Sequence, residues 1–412
     1  MSVQRSAIAT LSLVAASAAL VLAQAPAEQT AEHPVRTLVA RLDLEKYKAT
    51  IKGLTQFGDR RQGTDRNRAA IDWIEAQLKS YGCTNTGRLQ YEYQPRPRTT
   101  TAGRGGGRSG QAGRGARGGR GRGMIPRGNR GPTGVNNDPE KQPDLELRQL
   151  NMQPSTPGPR EQVYCTKIGA KYPGEMYIVS GHMDGIGYGQ AANDDGSGTA
   201  IVMELARVLN APDVQTERSI RFILWNNEET GLNGSRAYVD QRLALQGKED
   251  PPGSGQYPEP KWLGIIQHDM MMFDHGMPRE DGTLSPEQRP EADVNIEFQQ
   301  NSKMAEASQA LAWAFKNAND RYATDYPATV GNRMQNTDSA SFQDHVASLS
   351  LRENERGAQI GRGWDPHWHQ PTDVFSTFSD KDFRLGLNAA QTTLAALARL
   401  AGATIDSASS SR

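Results

Sequence analysis

Cysteine is nearly missing from this sequence: Cys83 and Cys165 are the only two in 412 residues. Two thiols are too few for a thiolate zinc site, so any bound metal must rest on histidine and carboxylate. We read both thiols as free and buried, although an exported chain could join them. A net charge is missing too. Basic and acidic residues balance at 47 each, so the charge of the whole chain selects no particular partner. Hydrophobic residues make up a lean 36%, and beyond the amino terminus no apolar run could cross a bilayer. No internal repeat is present.

Two local segments account for much of this. The first is an apolar run from Ala7 to Ala23 behind Arg5, interrupted only by Thr10, Ser12 and Ser17. It is short for a span of about 20 residues, and no stop-transfer charges follow it. It reads as a signal peptide over 1–23, cut after Ala23, which places the mature chain in the periplasm or outside the cell. No stable membrane insertion is expected after cleavage. The second segment begins at Gln94. Up to Val135 it holds ten arginines, no lysine and no acid, set among Gly, Pro, Thr and Ser, with Met124, Ile125 and Val135 its only large apolar residues. Such a composition cannot bury a core, and the expectation is a disordered insertion over 94–159. Arg-Gly repeats can bind RNA, but an exported chain seldom meets it, and no nucleic-acid partner is expected. Without those ten arginines the remainder has 37 basic and 47 acidic residues, a formal −10.

The rest, 24–93 and 160–405 with a tail over 406–412, reads as one α/β domain. His33 to Tyr81 looks helical. Thr64 is placed to cap a helix whose Ala69, Ile71, Trp73, Ile74, Ala76 and Leu78 form a stripe, and Gly82 stops it. Leu89–Tyr93, Met176–Ser180, Ile220–Trp225, Trp262–Gln267 and Ala347–Leu351 read as strands. Gly198–Leu209, Gly234–Leu245, Met304–Asn317 and Asp382–Leu400 read as helices. The alternation implies a mostly parallel mixed sheet with helices on both faces.

Chemistry follows the strands. Gly181-His182-Met183-Asp184 comes after the first strand of the alternating part, Asn226-Asn227-Glu228-Glu229 after the next, and His268-Asp269 after the third. In open α/β sheets, sites form beyond the carboxyl ends of strands. Ala192-Asn193-Asp194-Asp195-Gly196-Ser197-Gly198 adds carboxylates before a helix, and His367-Trp368-His369-Gln370-Pro371-Thr372-Asp373 lies late in the chain. Each piece alone is commonplace. A DDGSG stretch is usually a turn, and paired glutamates are usually a solvated face. Their joint order is informative, because a buried cluster of like charges is too costly without a compensating cation.

The set HMDG, NDDGSG, NNEETGLNGS, QHDM and HWHQPTD resembles the co-catalytic zinc aminopeptidase family, which includes bacterial leucyl aminopeptidase, aminopeptidase S, aminopeptidase Y and the glutamate carboxypeptidase relatives. The resemblance covers roughly 36–93 and 160–405. It implies the zinc exopeptidase fold and two zinc ions per chain. His182 and Asp269 would hold one ion, Glu229 and His369 the other, and Asp194 would bridge both. Glu228 would be the general base, and Asp184 would orient His182. Asp195 rivals Asp194, and His367 rivals His369. His268 and Met270 read as packing neighbours. Family members often carry a tyrosine shortly before the equivalent of Asp338. Here Gly331 to Thr337 has none, which puts the oxyanion donor in doubt and leaves Asn332, Arg333 or Asn336 to substitute.

The resemblance implies hydrolysis of peptide substrates, most simply as an aminopeptidase. A carboxypeptidase or dipeptidase, a single-zinc glutaminyl cyclase and a non-catalytic receptor-like module share the scaffold. Deleting Pro95 to Val135 should leave folding and small-substrate hydrolysis nearly intact, as soluble yield and turnover would show.

Overall fold

A computed structural model describes residues 34–93, 134–273, 294–353 and 365–406. The signal peptide expected over 1–23, the Arg/Gly-rich stretch over 94–133 and the tail from 407 lie outside the described residues.

The run MYIVS forms the middle of strand β3 (Tyr172–His182), and its side chains are buried on both faces. Tyr177 and Val179 join one core, and Met176 and Ile178 join the other. A strand buried on both sides must be covered on both sides. β3 pairs in parallel with β5 (Arg218–Trp225) and β6 (Lys261–His268), and β6 pairs in parallel with β9 (Ser348–Arg352). Antiparallel strands extend this centre. β2 (Gly158–Lys167) lies beside β5 and β1 (Thr86–Tyr93) beside β2, while β7 (Val294–Glu297) lies beside β9. β8 (Ala328–Gly331) closes the far edge in parallel with β7, giving the order β1-β2-β5-β3-β6-β9-β7-β8. β4 (Val214–Gln215) and β10 (Thr404–Ile405) form a small separate pair.

Helices α1 (Leu44–Thr55), α2 (Asp65–Ser80), α4 (Gly196–Leu209), α6 (Ala305–Tyr322) and α7 (Asp380–Leu400) build the larger core. α4 is apolar nearly all round, with only Arg207 not buried, as befits a helix enclosed by sheet and helices. On the opposite face α5 (Asn233–Arg242) contributes Tyr238 and Val239, which pack with Trp225, Trp262 and Phe342.

The expected elements are present at nearly the expected places, and the Thr64 hydroxyl does cap α2 by accepting from the Asn67 amide. Three departures have physical causes. The helical stretch from His33 to Tyr81 is broken over 56–64, where Gly58, Arg60 and Gly63 all take positive φ. Arg60 is fully buried there and donates to the carbonyls of Met183, Gln190 and Ala191 at 2.7, 2.8 and 2.8 Å. Secondly, the insertion does not run to 159. Residues 134–157 are ordered around a turn at Pro139–Lys141 and the short helix α3 (Leu145–Asn151), whose first turn Asp144 caps. This segment is held by the buried amides of Asn136, Gln142 and Asn151, with Leu147 its one buried large apolar side chain, so a hydropathy criterion passes over it. A deletion should therefore stop at 133. Thirdly, Cys83 and Cys165 are not free. They form a disulfide between the end of α2 and β2, across 82 positions of sequence.

A closed loop of that length restricts the unfolded chain. Replacing both cysteines with serine should lower stability by about 2–4 kcal/mol, read from urea unfolding. Unchanged unfolding in the double variant or under reductant would show the bond contributes nothing.

Candidate metal centre

The carboxyl ends of β5, β3 and β6 lie side by side, and each delivers part of one cluster. β3 ends on His182. β5 runs through Trp225 and Asn226 into Glu228 and Glu229. β6 leads into Asp269. Asp194 sits at the end of the loop from β3, just before α4, and His369 comes from the loop between β9 and α7. His182, Asp194 and Glu229 each offer a ligand atom, all within 4.8 Å of one another.

Asp194 divides the cluster into halves. Its Oδ1 lies 3.3 Å from His182 Nε2, and its Oδ2 lies 2.9 Å from His369 Nε2. Asp269 Oδ1 stands 3.9 Å from His182 Nε2, and Glu229 Oε2 stands 2.8 Å from His369 Nε2. One half thus comprises His182, Asp269 and one oxygen of Asp194. The other comprises His369, Glu229 and the second oxygen. Such a donor set of imidazole and carboxylate suits divalent zinc. Glu229 Oε1 is buried without a hydrogen-bond partner, an atom a cation would satisfy.

The surrounding groups aim these side chains. His182 Nδ1 lies 3.0 Å from the backbone oxygen of Asp184, which leaves Nε2 facing the carboxylates. The expectation that Asp184 orients His182 names the residue but not the atom. The carboxylate is instead 4.0 Å away and accepts from the Glu228 amide at 3.0 Å. Arg352 donates to Asp269 Oδ2 at 2.7 Å. Asp373 accepts from the amides of Asn193 and Asp194 at 2.8 and 3.1 Å, and thereby holds the Asp194 loop. Asp195 points elsewhere. It accepts from the amides of His182, Gly198 and Met270, tying the ends of β3 and β6 to the start of α4. His367 bonds Thr372, and His268 bonds Thr393 within the core. Asn332 is turned to Gln300, and Asn336 offers its carbonyl to Arg352.

Of the described non-glycine residues with positive φ, Tyr188, Ala191, Asn227, Met270 and His369 all lie on the four loops of this cluster. Such conformations cost about 1–3 kcal/mol each and collect where the surroundings over-determine a functional geometry.

The electrostatics show what the protein alone leaves uncompensated. The carboxyls of Asp184, Asp194, Asp195, Glu228, Glu229, Asp269 and Asp338 stand around only two imidazoles and the Arg352 guanidinium, with Asp184 and Asp195 turned to backbone amides. Burial, reinforced by Asp194 and only partly opposed by His369, pushes the Glu229 carboxyl up to about 7. Burial likewise raises Asp338 to about 7 and Asp373 to about 8. Burial raises Glu228 well above the ordinary range, with Glu229 and Asp338 adding to the effect against His182. For His369 burial works downward, but Glu229 and Asp194 overcome it and hold the ring up to about 11. Glu229 and Asp338 keep protons where bound cations would otherwise supply the charge, whereas Arg352 and His182 hold Asp269, and the two imidazoles hold Asp194, below the usual carboxylate range.

A sheet edge that gathers histidines and carboxylates in two halves is the architecture of a metallohydrolase site. Comparison with known proteins agrees. The model of peptidase family M28 matches residues 164–393, more than half of the chain, and the chain belongs to that family. Among curated relatives, aminopeptidase YwaD of Bacillus subtilis (strain 168) is 46% identical over 70 residues, 17% of this chain and 15% of that one. Carboxypeptidase Q of Homo sapiens is 39% identical over 70 residues, again 17% of this chain and 15% of that one. The matches thus span only a small part of those relatives. Among solved structures, the LapA aminopeptidase of Legionella pneumophila is 15% identical at a TM-score of 0.56, covering 90% of this chain and 75% of that one. The aminopeptidase from Aneurinibacillus sp. strain AM-1 is 16% identical at 0.55, covering 89% and 95%. The glutaminyl cyclase of Porphyromonas gingivalis is 14% identical at 0.53, covering 87% and 99%. At these identities the likeness is one of fold.

In the metal-free protein, Glu229 and Asp373 hold protons that the unfolded chain, with carboxyls near about 4, gives up. The stability this contributes is full below pH about 4 and is lost as pH rises through about 7 and about 8. Chelator-treated protein should therefore melt at lower temperature at pH 8.5 than at pH 5.5, and the gain on adding zinc should be larger at pH 8.5. A flat profile in both states would contradict this electrostatic account.

Proposed function

We propose that this chain is a zinc-dependent exopeptidase that releases residues from the amino terminus of peptides, with two zinc ions per chain. The observation that carries the reading is Asp194, whose two oxygens face different histidines. His182, Asp269 and Asp194 would hold one divalent ion and His369, Glu229 and Asp194 the other, which would supply Lewis-acid polarisation of the scissile carbonyl and a lower pKa for water.

The residues of the chain perform the remaining steps. Glu228, half-buried beside the cluster, takes a proton from the attacking water while the water oxygen bonds to the carbonyl carbon. When the C–N bond breaks, Glu228 returns that proton to the leaving amine. The Asp184 carboxylate holds the Glu228 backbone amide and so sets where this base stands. The surplus of carboxylates favours a free α-ammonium at the substrate terminus, which supports an aminopeptidase over a carboxypeptidase. Carboxypeptidase Q among the relatives keeps the second reading alive. We also propose that the mature chain is exported, periplasmic or secreted. The Cys83–Cys165 disulfide supports this, since such bonds persist in oxidising compartments. Among the described residues no helix is long and apolar enough to cross a membrane.

Aminoacyl and amino-blocked fluorogenic substrates, with and without chelator, test the direction of attack. Chelator-sensitive turnover confined to substrates with a free amine is expected, and turnover of blocked substrates with a free carboxylate would reverse the assignment. The adjacent glutamates should fail differently. Glu228→Gln keeps the ligand set, so zinc content should stay near wild type while kcat falls by about 10²–10⁴-fold. Glu229→Ala removes a ligand charge and should lose zinc together with activity. The opposite pattern in bound zinc would exchange the two roles.

A further inference from the structure

Residues 134–151 cross the two loops that carry Asp194 and His369 without supplying a ligand. The Asn136 backbone N–H donates to the carbonyl oxygen of His369 itself at 3.0 Å, and its side-chain amide donates to Gly187 at 3.3 Å. Gln370 reaches back to the Gly134 carbonyl at 2.8 Å. Gln142 joins the two loops directly. Its side chain is buried, and Nε2 donates to the carbonyls of Tyr188 at 2.7 Å and Pro371 at 3.0 Å. Its Oε1 accepts from the Asp144 amide at 3.1 Å, so every polar atom of the carboxamide is used. Arg148 fixes this frame from behind by donating to the Gln142 backbone oxygen at 2.8 and 2.6 Å and to Glu140 at 2.7 Å.

The tie matters because these loops are pressed backbone to backbone. A Cβ on Gly187 would stand 2.4 Å from the backbone of His369, and one on Gly189 would stand 2.7 Å from the carbonyls of Gln370 and Asp373. Tyr188 and His369, which flank the tie, both hold left-handed φ of 68° and 57°. Non-glycine residues with such a backbone stay there only when their surroundings impose it. The other half of the cluster is held differently. His182 and Asp269 sit at strand ends and are fixed by Asp195 and Arg352.

We propose that Gln142 is a positioning residue for the half of the centre formed by Asp194 Oδ2, Glu229 and His369. Its carboxamide sets the distance between the loop ending in Asp194 and the loop bearing His369, and with it the fit for the ion of that half. The proposal rests on the two-ion reading above.

Zinc titration of the full-length protein against a competing chelator tests it. Gln142→Ala should weaken one of the two ions by roughly 10–100-fold, the usual effect of removing a group that orients a ligand, and leave the other ion and the melting temperature nearly unchanged. Gln142→Glu keeps the size but sets oxygen against the two carbonyls, so it should weaken that ion at least as much. Wild-type affinity for both ions in Gln142→Ala would overturn the proposal, as would equal weakening of both ions with a lower melting temperature. Amide exchange in the metal-free proteins is the second readout. Gln142→Ala should speed exchange in peptides covering 187–190 and 369–373 and leave 176–182 protected. Should wild type bind fewer than two ions, the two-ion reading fails, and exchange alone then decides: unchanged rates at both loops would remove Gln142 from the role.

Discussion

Burying Asp184, Glu229 and Asp338 at one strand edge costs free energy that His182, His369 and Arg352 do not fully offset, while the same three groups hold Asp194 and Asp269 below the usual carboxylate range. Isolated carboxylates in a dry setting are among the most expensive groups a fold can bury. The carboxyls therefore keep protons or meet cations, and the raised values at Glu229, Asp338 and Asp373 record that balance. The same imbalance that destabilises the metal-free cluster prepares it for divalent ions.

That cluster survives because its loops are tied down by polar groups. Arg60 gathers carbonyls from 183–191, Asp373 holds the amides of Asn193 and Asp194, and Gln142 joins Tyr188 to Pro371. These are buried donors and acceptors with their partners in place, which turns a group costly to leave unpaired into a fixed distance. The apolar cores on the two sheet faces provide rigidity around them, with α4 enclosed between sheet and helices directly behind Asp194.

The site was legible to different depths. Periodicity located the apolar strands that His182, Glu229 and Asp269 follow and the apolar helix that Asp194 precedes, and the resemblance to the zinc aminopeptidases singled these residues out as ligands. Asp184 shows the limit of that method: its place beside His182 was evident, but whether its carbonyl or its carboxylate takes Nδ1 is a matter of a single rotamer. Gln142 and Asn136 carried no signal, since amides in a polar stretch look the same whether solvated or buried. Strands β7 and β8, four residues each at the sheet edge, were too short to register.

Composition, strand–helix alternation and the order of the His and carboxylate motifs by themselves determined an α/β fold with its chemistry at the carboxyl edge of a mostly parallel sheet. These are local properties: an apolar run of strand length stays an apolar run wherever it packs. Tertiary structure alone decided that Cys83 meets Cys165, that 134–157 is ordered, and that the Gln142 side chain reaches both Tyr188 and Pro371. Each of these depends on groups far apart in the chain arriving within a few ångströms, and hydropathy and spacing carry no measure of that distance.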